Sequence, residues 1–230
     1  TTEIYTLSLH DALPICFLAL LCYTENMKNK TPKIGTIEYE IALAEASAQK
    51  PRLLLHACCG PCASSVLEYL TPHFDVTVFY YNPNILPKEE FIKRENALKD
   101  VISHFKGVQL IVPDQYESEY ISYVKGHKND LEGGARCELC FTLRLEKTAE
   151  YLKAHSDDFD YFATTLTVSP HKNAPLINRI GNDVANKIGV KYLSSDFKKR
   201  DGYLRSTVLC REWGIYRQVY CGCISDLLFD

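Results

Sequence analysis

From Thr36 to Gln49 apolar side chains recur at helical spacing, with Thr36 placed to cap the first turn, and the pattern predicts an amphipathic helix. Arg52-Leu-Leu-Leu-His56 changes the rhythm to a short, continuous apolar run, the mark of a strand buried on both faces. Ala57-Cys-Cys-Gly-Pro-Cys62 follows at once; Pro61 suits the first turn of a helix that continues from Ala63 to Leu70. Phe74–Tyr81 is β-branched and aromatic and reads as a second strand, stopped by Asn82-Pro-Asn84. A long charged helix over Pro87–Phe105 leads to a third strand at Val108–Val112, then to helices over Tyr116–Val124 and Leu139–Ala154. Tyr161–Ala163 predicts a fourth strand, Asn173–Lys187 a helix and Lys191–Leu193 a fifth strand.

Alternation of strand and helix argues an α/β fold: a parallel, Rossmann-like sheet with helices on both faces. Ligands of such sheets bind at the carboxyl ends of the strands. The first cysteine cluster follows strand one, Asn82-Pro-Asn84 follows strand two and Thr164-Thr165 follows strand four, so all three should face one crevice. No internal repeat or interdomain linker interrupts the pattern.

The 230 residues are enough to bury a core without covalent staples, so the ten cysteines need another explanation. Cys58, Cys59 and Cys62 form one cluster, Cys137 and Cys140 a second, and Cys221 and Cys223 a third; Cys16, Cys22 and Cys210 stand apart. Near-adjacent cysteines seldom reach bridging geometry. They suit metal ligation or thiol redox chemistry in a reducing, cytoplasmic compartment. A net charge of −3 gives no overall attraction to nucleic acid or membrane, so any polyanion contact must come from a local patch. The apolar run Cys16–Tyr23 is too short to span a bilayer.

The first residues look foreign. Met27 is the only methionine, and Thr6-Leu-Ser-Leu-His-Asp-Ala-Leu-Pro-Ile15 resembles one reading frame of a sequencing adapter. Residues 1–26 are therefore expected to be read-through, and 27–230 a single metalloenzyme domain. Without Glu3, Asp11 and Glu25 the remainder is electrically neutral, and Cys16 and Cys22 leave the chemistry.

Three readings of the cysteines stay open on spacing. Cys59-Gly-Pro-Cys62 has the letters of the thioredoxin active site at a helix N-terminus, which leaves the downstream thiols without a role. Cys58 or Cys59 with Cys62, Cys137 and Cys140 matches structural zinc, and it matches an iron–sulfur cluster equally well. Cys221-Gly-Cys223 adds a spacing that can form a strained, easily reduced bridge, so that a metal cluster beside it would have an electron path. Cys210 has no partner at motif spacing and is expected to be packing.

Five ordered blocks carry a family resemblance. Leu54-Leu-His-Ala-Cys-Cys-Gly-Pro-Cys62, Phe79-Tyr-Tyr-Asn-Pro-Asn-Ile85 with Arg94, Gly133-Gly-Ala-Arg-Cys-Glu-Leu-Cys140 with Arg144, Thr164-Thr-Leu-Thr-Val-Ser-Pro170 and Tyr216-Arg-Gln-Val-Tyr-Cys-Gly-Cys223 resemble the QueH-type epoxyqueuosine reductases. The resemblance implies an oxidoreductase of tRNA processing that reduces the epoxide of epoxyqueuosine in the anticodon loop to queuosine, the last step of that biosynthesis, without cobalamin. It implies a [4Fe–4S] cluster on Cys58, Cys59, Cys137 and Cys140, with Cys62 near a second, mononuclear iron or as an alternative ligand. Cys221 and Cys223 would be the redox-active pair, fed by an electron donor. The family's sheet is similar to that of nucleotide α-hydrolases, yet no Ser-Gly-Gly-x-Asp-Ser phosphate loop follows strand one, because the cysteines stand there.

His56, Tyr81 and Asp196 are candidate proton donors by placement alone. Lys198-Lys-Arg200, Arg205, Arg211 and Arg217, beside Tyr203, Trp213 and Tyr216, supply charge and aromatic surface suited to a single-stranded RNA loop.

Overall fold

The structure is a computed structural model that describes residues 32–47 and 49–223; the reading of residues 1–26 lies outside them. The elements run α1 (Ile37–Ser47), β1 (Arg52–His56), α2 (Gly60–Leu70), β2 (Asp75–Phe79), α3 (Lys88–Ser103) and β3 (Gln109–Ile111). They continue with α4 (Glu117–Tyr123), α5 (Ala135–Ala154), β4 (Tyr161–Thr164), a 3-10 turn (Thr165–Val168), α6 (Ala174–Ile188) and α7 (Gly202–Glu212). All four strands are parallel, in the order β3-β2-β1-β4.

The period-2 alternation of a strand decides which face each leucine serves. Leu53 and Leu55 enter the core made with α1, α2, α3 and α7, together with Val76 and Val78. Leu54 points the other way, with Phe79 and Phe162, into the core made with α4, α5 and α6. Each of these three leucines is fully buried, which at about 1.5–3 kcal/mol apiece makes β1 the spine of both cores. The chain moves outward from β1 to β2 and β3, then returns to place β4 on the other side of β1. That reversal opens a crevice between the carboxyl ends of β1 and β4.

Three expectations change. The fifth strand at Lys191–Leu193 is reduced to one bridge, Phe162 with Tyr192, because the chain then turns so that Ser194 pairs with Thr36. α5 starts at Ala135 rather than Leu139: Gly134 is its N-cap, and the Asp130 carboxylate accepts from the Arg136 N–H at 2.8 Å. This draws Cys137 and Cys140 into the helix, three residues apart on one face. α7 is an additional helix, docked beside α2, where the Ser206 hydroxyl donates to Pro61 O at 2.6 Å. Among the described residues no helix is long and apolar enough to cross a membrane.

Candidate metal centre and substrate cavity

The turn after β1 gathers the first thiols. Cys59 is the N-cap of α2, with Gly60 and Pro61 in its first turn. Gly60 is required for packing, since a Cβ there would lie 2.5 Å from Ala97 O in α3. The Sγ atoms of Cys58, Cys59 and Cys62 all lie within 4.8 Å of one another, the only such group of three potential metal ligands among the described residues. Cys58 and Cys59 are 3.7 Å apart. Thiolates sharing one tetrahedral metal at 2.3 Å would stand about 3.8 Å apart, so the spacing fits a metal site. Cys62 is thus a full member of this trio.

Charge supports the same conclusion. Hydrogen bonds from Cys59 and Cys62 hold Cys58 well below the ordinary thiol range, with Lys172 and Arg144 assisting. The contact with Cys58 pushes Cys59 up to about 12, and contacts with Cys58 and Cys59 raise Cys62. These contacts favour a thiolate at Cys58 over its two neighbours, and a bound cation would favour all three.

The second and third groups meet beside the first. Cys140 is buried, which pushes its thiol up to about 12 against the opposing pull of Arg144, and the neighbouring sulfurs of Cys221, Cys223 and Cys137 add to the effect. Burial also raises Cys137 and Cys223. All eight described cysteines are free thiols. Polar groups already address the sulfurs: Gly133 N–H donates to Cys137 Sγ at 3.2 Å, Gln218 Nε2 to Cys59 Sγ at 2.9 Å, and the Tyr120 hydroxyl lies 3.0 Å from Cys223 Sγ. Such contacts stabilise thiolates and tune a bound metal. Cys210 is elsewhere, buried against Ser64 in the α2–α7 core.

Two cations stand among the thiols with no carboxylate ion-pair partner among the described residues. Arg144, on α5, donates to Cys140 O at 3.1 Å and to Asn82 Oδ1 at 3.3 Å; Asn82 in turn donates to Ala57 O. Burial would lower the pKa of Arg144, but Cys140, Cys58 and Cys221 outweigh it. Lys172, after β4, is half-buried and is held in its charged form by Cys58, Cys221 and Cys62. Neither its position nor that of Gln218 follows from any spacing relative to the cysteines.

These groups line a cavity of about 500 Å³ at the carboxyl edge, with Cys58, Cys62 and Cys221 on its wall beside Arg94, Arg144, Lys172 and Arg217. The Tyr220–Cys223 segment is pinned there. Arg94 donates to Cys221 O at 2.8 Å and Tyr220 O at 3.1 Å and pairs with Glu90 at 2.6 Å, while Leu86 N–H donates to Gly222 O at 2.9 Å. Gly222 has φ +97°, a conformation only glycine adopts freely.

None of the three expected proton donors reaches the cavity. His56 is fully buried: Nε2–H donates to Tyr81 O at 3.2 Å, and Nδ1 accepts from Thr164 Oγ1 at 2.9 Å. Burial, with Arg144 nearby, lowers its pKa to about 3, so it is a neutral brace joining the ends of β1, β2 and β4. The Tyr81 hydroxyl donates to Glu119, and Asp196 lines a different cleft.

The basic-aromatic segment is divided as well. Arg205 pairs with Glu68 at 2.6 Å, and Lys199 lies in that other cleft with it. Trp213 stacks on His104, and the Tyr216 hydroxyl donates to Glu90. Lys198 donates to Lys172 O, and the Arg200 side chain lies outside the described part. Among the described side chains of that segment, Tyr203 and Arg217 alone reach the cavity.

Sequence comparison agrees with this geometry. A family model described as "Epoxyqueuosine reductase QueH" matches residues 53–227. The epoxyqueuosine reductase QueH of Streptococcus pyogenes serotype M1 is 46% identical over 185 residues, 78% of this chain and 72% of that protein. Those of Staphylococcus epidermidis and Thermotoga maritima are 39% identical over 212 residues (89% and 87%) and 38% identical over 180 residues (76% and 90%). With a family match across most of its length and relatives at these identities, the chain belongs to the epoxyqueuosine reductase QueH family.

Proposed function

We infer that the chain is an oxidoreductase that reduces the epoxide of epoxyqueuosine in tRNA to the alkene of queuosine, without cobalamin. The observation that carries the reading, beside the family, is the packing of three cysteine groups together beside one cationic cavity, which Cys58, Cys62 and Cys221 line. The reduction consumes two electrons and two protons and releases the oxygen as water. Cys58, Cys59, Cys137 and Cys140 are the proposed holders of a [4Fe–4S] cluster, with Cys62 toward a second, mononuclear iron and Cys221 with Cys223 as the redox pair. When bound, iron would supply electrons and a Lewis acid for the departing oxygen.

The chain's own residues prepare the site. Arg144 and Lys172 offset the negative charge of the thiolates, which would otherwise repel reducing electrons and the developing oxyanion. Gly133 N–H and Gln218 Nε2 bond to sulfurs and fix their orientation. Arg94 holds the Cys221 backbone so that its side chain stays on the cavity wall.

The test is conversion in tRNA, read by nucleoside mass analysis after digestion, with a low-potential donor and no cobalamin. Queuosine should accumulate. Cys221→Ser and Cys223→Ser should abolish turnover with physiological reductant and leave the metal absorbance in place. Reduction of insulin disulfides with no change in epoxyqueuosine would replace this reading with a general thiol oxidoreductase.

A further inference from the structure

Four of the nine exposed large apolar side chains among the described residues gather at the mouth of the cavity. Tyr203 and Tyr220 line it at 43% and 41% exposure, Val219 beside them is 97% exposed, and Leu131, next to the lining residue Glu132, is 83% exposed. Exposed apolar residues gathered at one rim mark a contact surface, whereas scattered ones need no explanation.

The two tyrosines share a construction. Each ring lies against an arginine that the protein itself ties down. The Arg94 guanidinium lies 5.0 Å from the Tyr220 ring centre and is fixed by Glu90 and two backbone carbonyls. Arg217 lies 5.7 Å from the Tyr203 ring and is held by Ser206 O at 3.4 Å and Ser206 Oγ at 3.3 Å. An arginine covers part of each ring, and the remainder stays open to solvent at the cavity mouth. Rings immobilised in this way lose little entropy when a partner stacks on them.

We propose that Tyr203 and Tyr220 are stacking platforms for the unpaired nucleotides that flank the base entering the cavity, so that this rim is a single-stranded RNA contact. The proposal rests on the reading that the substrate is a base within tRNA. Size and charge both select that partner. A cavity of about 500 Å³ admits one extruded base and excludes a duplex. Arg144, Lys172 and Arg217 on its wall, none paired with a carboxylate among the described residues, outnumber Glu132, the one carboxylate that lines it, which suits a polyanion. Every base offers a π-face, so the platforms would grip the loop and leave discrimination to the cavity.

The experiment measures binding of the holoprotein to a fluorescently labelled, unmodified anticodon stem-loop RNA, against a fully paired RNA hairpin with the same number of phosphates. Tyr203→Ala and Tyr220→Ala should each weaken stem-loop binding about 5- to 100-fold, the effect of losing one stacked base. The slope of affinity against salt should stay the same, since stacking releases no counterions. Tyr203→Phe and Tyr220→Phe should bind within about twofold of the parent, because the ring is kept. The paired hairpin should not respond to any of these changes. Alanine variants that bind the stem-loop like the parent, or that lose the paired hairpin equally, would overturn the proposal. If the parent enzyme converts epoxyqueuosine in tRNA while the alanine variants bind normally, stacking alone is wrong; if the parent does not convert it, the functional reading fails first.

Discussion

Replacing Arg94 with glutamine probes the link between fold and chemistry at its tightest point. Arg94 is only 2% exposed and makes three polar connections: Glu90 at 2.6 Å, Cys221 O at 2.8 Å and Tyr220 O at 3.1 Å. Breaking a buried ion pair from one side costs about 3–5 kcal/mol, because the other charge is stranded. Here the Tyr216 hydroxyl still reaches both Glu90 oxygens, at 3.1 and 3.0 Å, so the lower end, about 3 kcal/mol, applies. In a chain of this size that lowers the melting temperature by about 6–12 °C. Locally, the Tyr220–Cys223 segment loses two charge-assisted bonds and keeps the Leu86–Gly222 bond and the Tyr120 contact. A loss of about 3 kcal/mol raises its opening about 100-fold. Alkylation of Cys221 and Cys223, followed by peptide mass mapping on the holoprotein, should accelerate accordingly. Arg94→Lys should fall between, since one ammonium cannot span two carbonyls and a carboxylate. A glutamine variant that melts within about 2 °C of the parent and is alkylated at the parental rate would refute the reasoning.

Three further substitutions separate packing from ligation. Gly60→Ala should destabilise the protein by about 3 kcal/mol or more in denaturant titration, because the new Cβ would sit 2.5 Å from a backbone oxygen that cannot swing away. Cys140→Ala should bleach the metal absorbance of anaerobically purified protein, whereas Cys210→Ala, buried against Ser64 and remote from the trio, should keep it.

The sheet was legible because its strands carry unmixed signals. Leu53–Leu55 has no polar residue to confuse strand with loop, and the turn that follows is punctuated by Gly60 and Pro61. The place of that turn's cysteines at the carboxyl edge of the sheet followed from the parallel topology alone. α7 was not legible, since its inward face is made of Ser206, Leu209 and Cys210, too small and polar to show helical periodicity. Its start is equally concealed: Asp201 has positive φ, and Gly202 sits where a Cβ would meet Phe197 O. The fifth strand had a strand's residues and no neighbour to pair with for more than one rung. Lys172, Gln218 and the Tyr220–Arg94 contact are brought to the site by long-range packing, which no local pattern encodes. His56 shows the converse: its place at a strand end was legible, but its neutral, bracing state depends on Thr164, more than a hundred residues away.

The central claim is that the converging cysteines hold iron and that this iron-loaded chain reduces epoxyqueuosine. Metal content and conversion should be measured on one anaerobically purified sample. The account predicts brown protein with about four irons per chain or slightly more, which turns epoxyqueuosine in tRNA into queuosine with no cobalamin present. Colourless protein holding a single tightly bound zinc and converting epoxyqueuosine equally well would contradict it.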